Sequence, residues 1–258
     1  MTPLIRRGLI AEASTRPVDS PQASEIAMLG AQRRLILFAG IGIAAYAAAM
    51  VATMPASVVL KNRPWRTGVA GTIWNGEVGI AGASRLEWEW APLRSITSLG
   101  FAADWRATGA DTDLAGRALY GNDSLALDNV TGAADAALLA AIQPDLPFTC
   151  DLTMQADFPH IAVGGMDQSV TGNLVTDLGT CTPKSGGAPT SVGPMVLTAE
   201  KIGNVSRMRL APATQRRRTL MTFALAENGT VDIAITPEGA TALPFVGLPP
   251  GASIRGEM

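Results

Sequence analysis

Arg85-Leu86-Glu87-Trp88-Glu89-Trp90 alternates without a break: Leu86, Trp88 and Trp90 fall on one side, Arg85, Glu87 and Glu89 on the other. Successive side chains of an extended chain point to opposite faces, so this period of two marks a strand with one buried and one wet face. Phe101-Ala102-Ala103-Asp104-Trp105-Arg106-Ala107 repeats it, with Phe101, Ala103, Trp105 and Ala107 inward. Working outward, strands fit residues 112–119, 124–130, 148–158, 166–177, 195–202, 205–210, 218–227 and 230–236. Turn chemistry separates them, as in Gly121-Asn122-Asp123 and Glu227-Asn228-Gly229; Asn-Gly between two apolar runs predicts a hairpin. Helix is scarce. Residues 133–142 form one Ala/Leu-rich helix closed by Pro144, 92–97 and 237–242 read as single turns, and 184–194 as a loop. The fold class is mostly β: a largely antiparallel sheet domain with one or two short helices.

Ahead of the sheet lies an apolar run, residues 35–54, which carries no charged side chain over 20 positions. At about 1.5 Å per residue such a helix spans roughly 30 Å, the hydrocarbon thickness of a bilayer. A long core helix of a soluble domain is the alternative, but core helices seldom run this far without a charge. Arg33 and Arg34 abut the run, and five basic residues stand against three acidic ones before it, 15 against 19 after it. That bias favours a cytoplasmic N-terminus. Ala47-Ala48-Ala49 resembles a cleavage site, so a removed signal peptide is the rival to a permanent anchor. On either reading the β domain is extracytoplasmic. The expected layout is a flexible cytoplasmic tail (1–32), a transmembrane helix (33–54) and a periplasmic β-rich domain (55–258) in the cell inner membrane.

In an oxidising compartment Cys150 and Cys181 read as a disulfide; the alternative is a pair of buried free thiols. Near-neutral net charge with scattered basic residues argues against nucleic-acid partners. Catalytic groups are sparse. The single histidine, His160, excludes two-histidine metal sites and most triads, and sits at a strand-to-turn junction. Asp111 and Asp113 fall in a polar turn, where paired carboxylates lack the pocket that acid–base work needs. Gly71-Thr72-Ile73-Trp74-Asn75-Gly76 has neither the glycine pattern nor the lysine of a phosphate loop. Arg216-Arg217-Arg218 reads as a solvated loop, with lipid headgroups or an acidic partner as its alternative contact. No enzyme, cofactor, metal site or small-molecule substrate is expected.

All five tryptophans fall between residues 65 and 105. Trp88, Trp90 and Trp105 are read as core from their phase, and Trp65 as an interfacial residue near the anchor. A faint repeat, Val69-Ala70-Gly71, Val130-Thr131-Gly132 and Val170-Thr171-Gly172, marks bulges or close backbone approaches.

Residues 69–78, Val-Ala-Gly-Thr-Ile-Trp-Asn-Gly-Glu-Val, resemble the V-x-G-T-[IVL]-W-[SN]-G-x-[AV] signature of the type II secretion system protein N family. Pro55-Ala56 before it, Leu86-Glu87-Trp88-Glu89-Trp90-Ala91-Pro92 after it, and Leu127-Asp128-Asn129-Val130-Thr131-Gly132 with its following helix are similar to the family's order of features. The likeness covers about residues 55–180. It implies an inner-membrane component of the general secretion machinery, with other secretion subunits and membrane lipid as partners. Gly71, Thr72, Trp74, Gly76, Trp88, Trp90 and Pro92 are taken as a structural signature, with Trp74 in the core of a bent strand or tight hairpin. An AsmA-like lipid-handling module with an apolar groove is the second reading. The two differ in whether the apolar phase of successive strands lines a groove or meets a covering layer.

Overall fold

A computed structural model describes residues 21–60, 66–81 and 84–257, with side chains from residue 33 onward apart from that of residue 142. Trp65 and residues 1–20 of the expected tail lie outside the described residues. The chain divides into two compact units, at Thr53 and Met54.

The first unit contains α1 (Pro21–Ala52), which begins 12 residues ahead of the expected start at Arg33, inside the expected tail. Its segment Arg33–Ala52 is long and apolar enough to cross a membrane, and none of it is buried against protein. From Leu35 on it is apolar on every side, so it offers a soluble fold no polar face to turn outward.

The second unit begins with α2 (Ala56–Val59), β1 (Arg66–Gly71), β2 (Asn75–Ile80), β3 (Ser84–Trp90), α3 (Pro92–Thr97), β4 (Phe101–Thr108), β5 (Asp113–Gly121) and β6 (Ser124–Asp135). It continues with α4 (Ala136–Ile142), β7 (Phe148–Asp151), β8 (Thr153–Gly164), β9 (Ser169–Thr176), β10 (Gly179–Pro183), β11 (Thr190–Val192) and β12 (Met195–Ile202). Then come β13 (Val205–Pro212), β14 (Met221–Ala226), β15 (Thr230–Ile235), α5 (Pro237–Ala242) and β16 (Ser253–Glu257). Thirteen strands make one antiparallel sheet in the order β1-β2-β3-β4-β5-β6-β8-β9-β12-β13-β14-β15-β16. It is a meander with two excursions. The chain leaves the sheet between β6 and β8, and again between β9 and β12. The two detours meet as a second sheet, β11-β10-β7.

Local chemistry explains the joints. Asn122 and Asp123 both have positive φ (50° and 58°) in the two-residue β5–β6 loop, the backbone of a type I′ hairpin. Gly229 (φ 86°) turns β14 into β15 at the Asn-Gly step. The expected helix at residue 133 starts only at Ala136: Ala133 and Ala134 stay paired with Gln155 and Met154, and the Asp135 carboxylate caps α4 by accepting the Ala137 N–H at 2.8 Å. The expected strand 148–158 is two strands in different sheets, broken at Leu152. Residues 166–168 and 218–220 precede β9 and β14 rather than joining them, β11 lies in the expected loop 184–194, and β10 and β16 were not foreseen. At its edge, β16 is held by Arg255, which donates to both carboxylate oxygens of Asp232 at 2.7 and 3.2 Å. That hydrogen bond and the Asp232 charge raise the Arg255 pKa above its ordinary value.

The small sheet lies over the large one. Buried Leu138, Cys181, Val192, Leu243 and Phe245 from the covering segments pack in one core with Met154, Met221 and Ile235 of the large sheet. Cys150 and Cys181 are bonded to each other, directly opposite in the β7–β10 register.

Candidate functional site

The signature residues form a clip at one rim of the large sheet. Gly71 and Gly76 face each other at the end of the β1–β2 hairpin, and Thr72 organises its loop: its N–H donates to the Asn75 carbonyl at 2.8 Å, and its hydroxyl accepts the Trp74 and Asn75 N–H groups. Gly71 has φ 84°, and a Cβ there would stand 2.5 Å from the Asn75 carbonyl oxygen. The loop grips the start of the domain, because the Ile73 N–H donates to the Met54 carbonyl at 3.1 Å and Pro55 bridges to Thr72.

From there the clip reaches β3 and α3. The Trp74 carbonyl accepts the Trp90 N–H at 2.7 Å, and the Trp88 indole N–H donates to the Ile73 carbonyl at 3.1 Å. The Trp90 indole N–H donates to Ser95 Oγ at 2.8 Å, and Pro92 occupies the first turn of α3, where its missing N–H costs nothing. Trp74 packs at a tilt against Trp90, with ring centroids 4.6 Å apart, and against Phe101 at 6.2 Å. Across four strands Gly76, Trp88, Trp105 and Gly116 stand in one row, and each indole lies over the neighbouring glycine. Trp74, Trp88, Trp90 and Trp105 are half-buried, so the core position assigned to them is corrected: they occupy the apolar phase, but none of the four is fully covered by the described residues.

The Val-x-Gly repeat has one backbone cause. Gly71, Gly132 and Gly172 all have positive φ. At Gly132 and Gly172 a Cβ would collide with a carbonyl of the adjacent strand, beside irregularities in the β5–β6 and β8–β9 registers.

The chemically equipped residues do not converge. His160 Nδ1 and Asp128 Oδ1 are 2.6 Å apart across β6 and β8, both half-exposed. Asp113 is held by Arg106 through two hydrogen bonds of 2.9 and 3.0 Å, while Asp111 is exposed. Arg218 pairs with Glu238 at 2.7 Å, and Arg216 and Arg217 are exposed on the same turn. Among the described residues no cluster of three or more His, Cys, Asp or Glu could hold a metal ion.

What the strand pattern did not reveal is a cavity of about 420 Å3 between the two layers. Met154, Met195, Leu210, Met221, Phe223 and Ile233 form its floor on the large sheet. Leu139, Leu146, Phe148, Leu243, Phe245 and Val246 close over it from α4, the small sheet and the C-terminal segment. The Thr176 hydroxyl at its wall accepts the Met195 N–H at 3.0 Å and is thereby satisfied. The one signal for this roof in the sequence is the apolar spacing of Leu243, Phe245, Val246 and Leu248 beyond α5.

No curated protein and no solved structure matches the chain. A family model does, that of the type II secretion system (T2SS), protein N, over residues 62–247, well past the point to which the motifs alone carry. The match takes in the signature loop, the meander from β1 to β15, both excursions and most of the cavity roof, and the chain belongs to the type II secretion system protein N family.

Proposed function

We propose that the chain is a non-enzymatic, single-pass inner-membrane subunit of the type II secretion apparatus. Family membership carries a role in type II secretion and contact with other subunits of that machinery. Beyond that, the layout is a cytoplasmic tail over residues 1–32, an anchor over 33–54 and a periplasmic domain over 55–258 that works in protein export. The disulfide supports the compartment, since such bonds persist in oxidising surroundings. The apolar segment supports the anchor, and Arg33 and Arg34 at its start support its orientation. Dispersed, mutually paired charges support a role in assembly rather than chemistry.

The observation that carries the reading is the clip, which ties the family's signature to Met54 and α3 at the head of the domain. The test is a pull-down of the full chain, cross-linked in intact cells and solubilised from the inner membrane, together with export measured in a strain lacking the gene. Recovery of other secretion subunits and an export defect are expected. Normal export and no such subunits would refute it.

The cavity favours a second reading, in which the domain handles one acyl chain. Its volume falls within the roughly 300–1,000 Å3 of ordinary ligand sites, and its lining is almost wholly apolar. Mass spectrometry of lipids retained by the purified chain tests it: Leu210→Trp should displace any retained acyl species. Lipid unchanged in that variant, or none retained by wild type, would leave the cavity a dry packing void.

A further inference from the structure

α3 ends in a way that does not serve the fold. Its last turn closes with the Gly100 N–H donating to the Ser95 carbonyl at 3.1 Å and the Leu99 N–H to the Ile96 carbonyl at 3.4 Å. This is the Schellman pattern, whose left-handed position normally goes to glycine. Here Leu99 takes it, at φ 49°, with its side chain 90% exposed, although Gly100 follows immediately. A bulky residue therefore sits in a strained backbone position and packs against nothing. Ile96 and Leu93, one turn and two turns back along α3, are 71% and 80% exposed.

The position of α3 in the sheet gives these residues a common address. The rim that holds Trp90 and α3 also carries Tyr120, opposite Phe101, then Met166 in the β8–β9 turn and Ile202 at the β12–β13 turn, all exposed. At the opposite rim, Leu178 is the one large apolar side chain exposed to that degree among the described residues. The same rim is where the chain enters the domain: the Met54 carbonyl bonds to Ile73, two residues after the apolar segment ends at Ala52. Two residues of extended chain reach at most about 7 Å.

We propose that this rim seats on the lipid bilayer, with Leu93, Ile96 and Leu99 inserted into the interfacial layer and Tyr120 at headgroup level. The inference rests on the anchor reading above. The occupant is lipid because of the tether: an embedded Ala52 brings the rim to the headgroups, where exposed leucine and isoleucine gain an apolar phase and tyrosine keeps its hydroxyl wet. The seat is apolar rather than electrostatic. Arg94 is paired with Asp104 and Lys201 with Glu227, while Asp123 and Asp167 on the rim's turns are acidic. Attachment is accordingly not strengthened by anionic lipid and not weakened by salt.

The test uses the full chain in phosphatidylcholine vesicles, with an environment-sensitive fluorophore on Ser98→Cys or, at the opposite rim, on Asp111→Cys. The native cysteines are bonded to each other, so a maleimide takes the new thiol. Co-flotation with vesicles reads the anchor separately, and chains that fail to float overturn the anchor and the inference together. In floating chains the label at 98 should be blue-shifted and quenched by brominated lipid while the label at 111 is not, with no gain on adding phosphatidylglycerol and no loss on adding salt. Identical signals at the two positions would overturn the seat. Replacing Leu93→Ser, Ile96→Ser and Leu99→Gly together should abolish the shift at 98 while flotation and melting temperature hold; persistence of the shift would also overturn it. Leu99→Gly alone should leave the melting temperature unchanged or raise it, and a fall would mean that Leu99 serves the fold instead.

Discussion

The indole of Trp74 lies 4.6 Å from that of Trp90, centroid to centroid and tilted by 55°, while its carbonyl accepts the Trp90 backbone N–H. One residue of the hairpin loop thus holds β3 by ring packing and by hydrogen bond at once. Replacing a core tryptophan by alanine costs about 3–5 kcal/mol. Trp74 is half-buried, so Trp74→Ala should cost roughly 2–3 kcal/mol, in proportion to the area removed from water. For a domain of this size that is a fall in melting temperature of about 4–12 °C. An unshifted midpoint combined with lost assembly would reassign Trp74 to a partner surface.

Gly71 and Gly76 should resist substitution for different reasons. Gly71→Ala places a side chain at φ 84° and against the Asn75 carbonyl, a backbone penalty of about 1–3 kcal/mol. Gly76→Ala has an ordinary backbone but drives its methyl into the Trp88 ring. It should cost about 1–3 kcal/mol through overpacking, and Trp88→Leu should relieve part of that cost. Denaturant melts of the two single variants and the double variant separate backbone from side-chain strain. Full additivity at Gly76 and Trp88 would contradict the contact.

Removing the disulfide as Cys150→Ala with Cys181→Ala should destabilise the domain by about 3–4 kcal/mol on the chain-entropy model, for a separation of 31 residues. Thiol labelling of denatured, unreduced wild type should find no free cysteine. Two labelled cysteines would mean the bond does not form in the cell.

A reporter active only in the periplasm should give signal when fused after Met258 and none when fused at residue 25. The reverse pattern would invert the orientation. A mature N-terminus recovered near Ala49 or Ala52 would replace the anchor with a cleaved leader.

Much of the sheet was legible because its strands obey one rule. β12 runs over Met195–Ile202, as the alternation predicts, since Pro194 and Gly203-Asn204 punctuate both ends. The break at Leu152 was not legible. The alternation continues through it, with no glycine or proline to show that β7 has left one sheet and β8 joined another. The tryptophan phase was right, but phase says which side a residue faces and not whether anything covers that side. The cavity was hidden for a related reason: the Cys150–Cys181 pair marks where the two excursions meet, but nothing in the local pattern says that a void lies between that meeting point and the large sheet.

The two excursions also set a timetable. Apart from them, every strand of the large sheet pairs with its neighbour in sequence, so each loop to be closed is short and each step adds one strand to a growing edge. A chain delivered from its N-terminus can lay down β1 to β6 as it emerges, from the clip outward. β7 then waits without a partner until β8 and β9 have been added and β10 arrives. Once Pro183 is out, Cys181 stands opposite Cys150 and the thiols can be oxidised while β12 to β16 are still to come. The covalent staple is thus available at mid-assembly, before the last five strands are laid onto the scaffold it can fix.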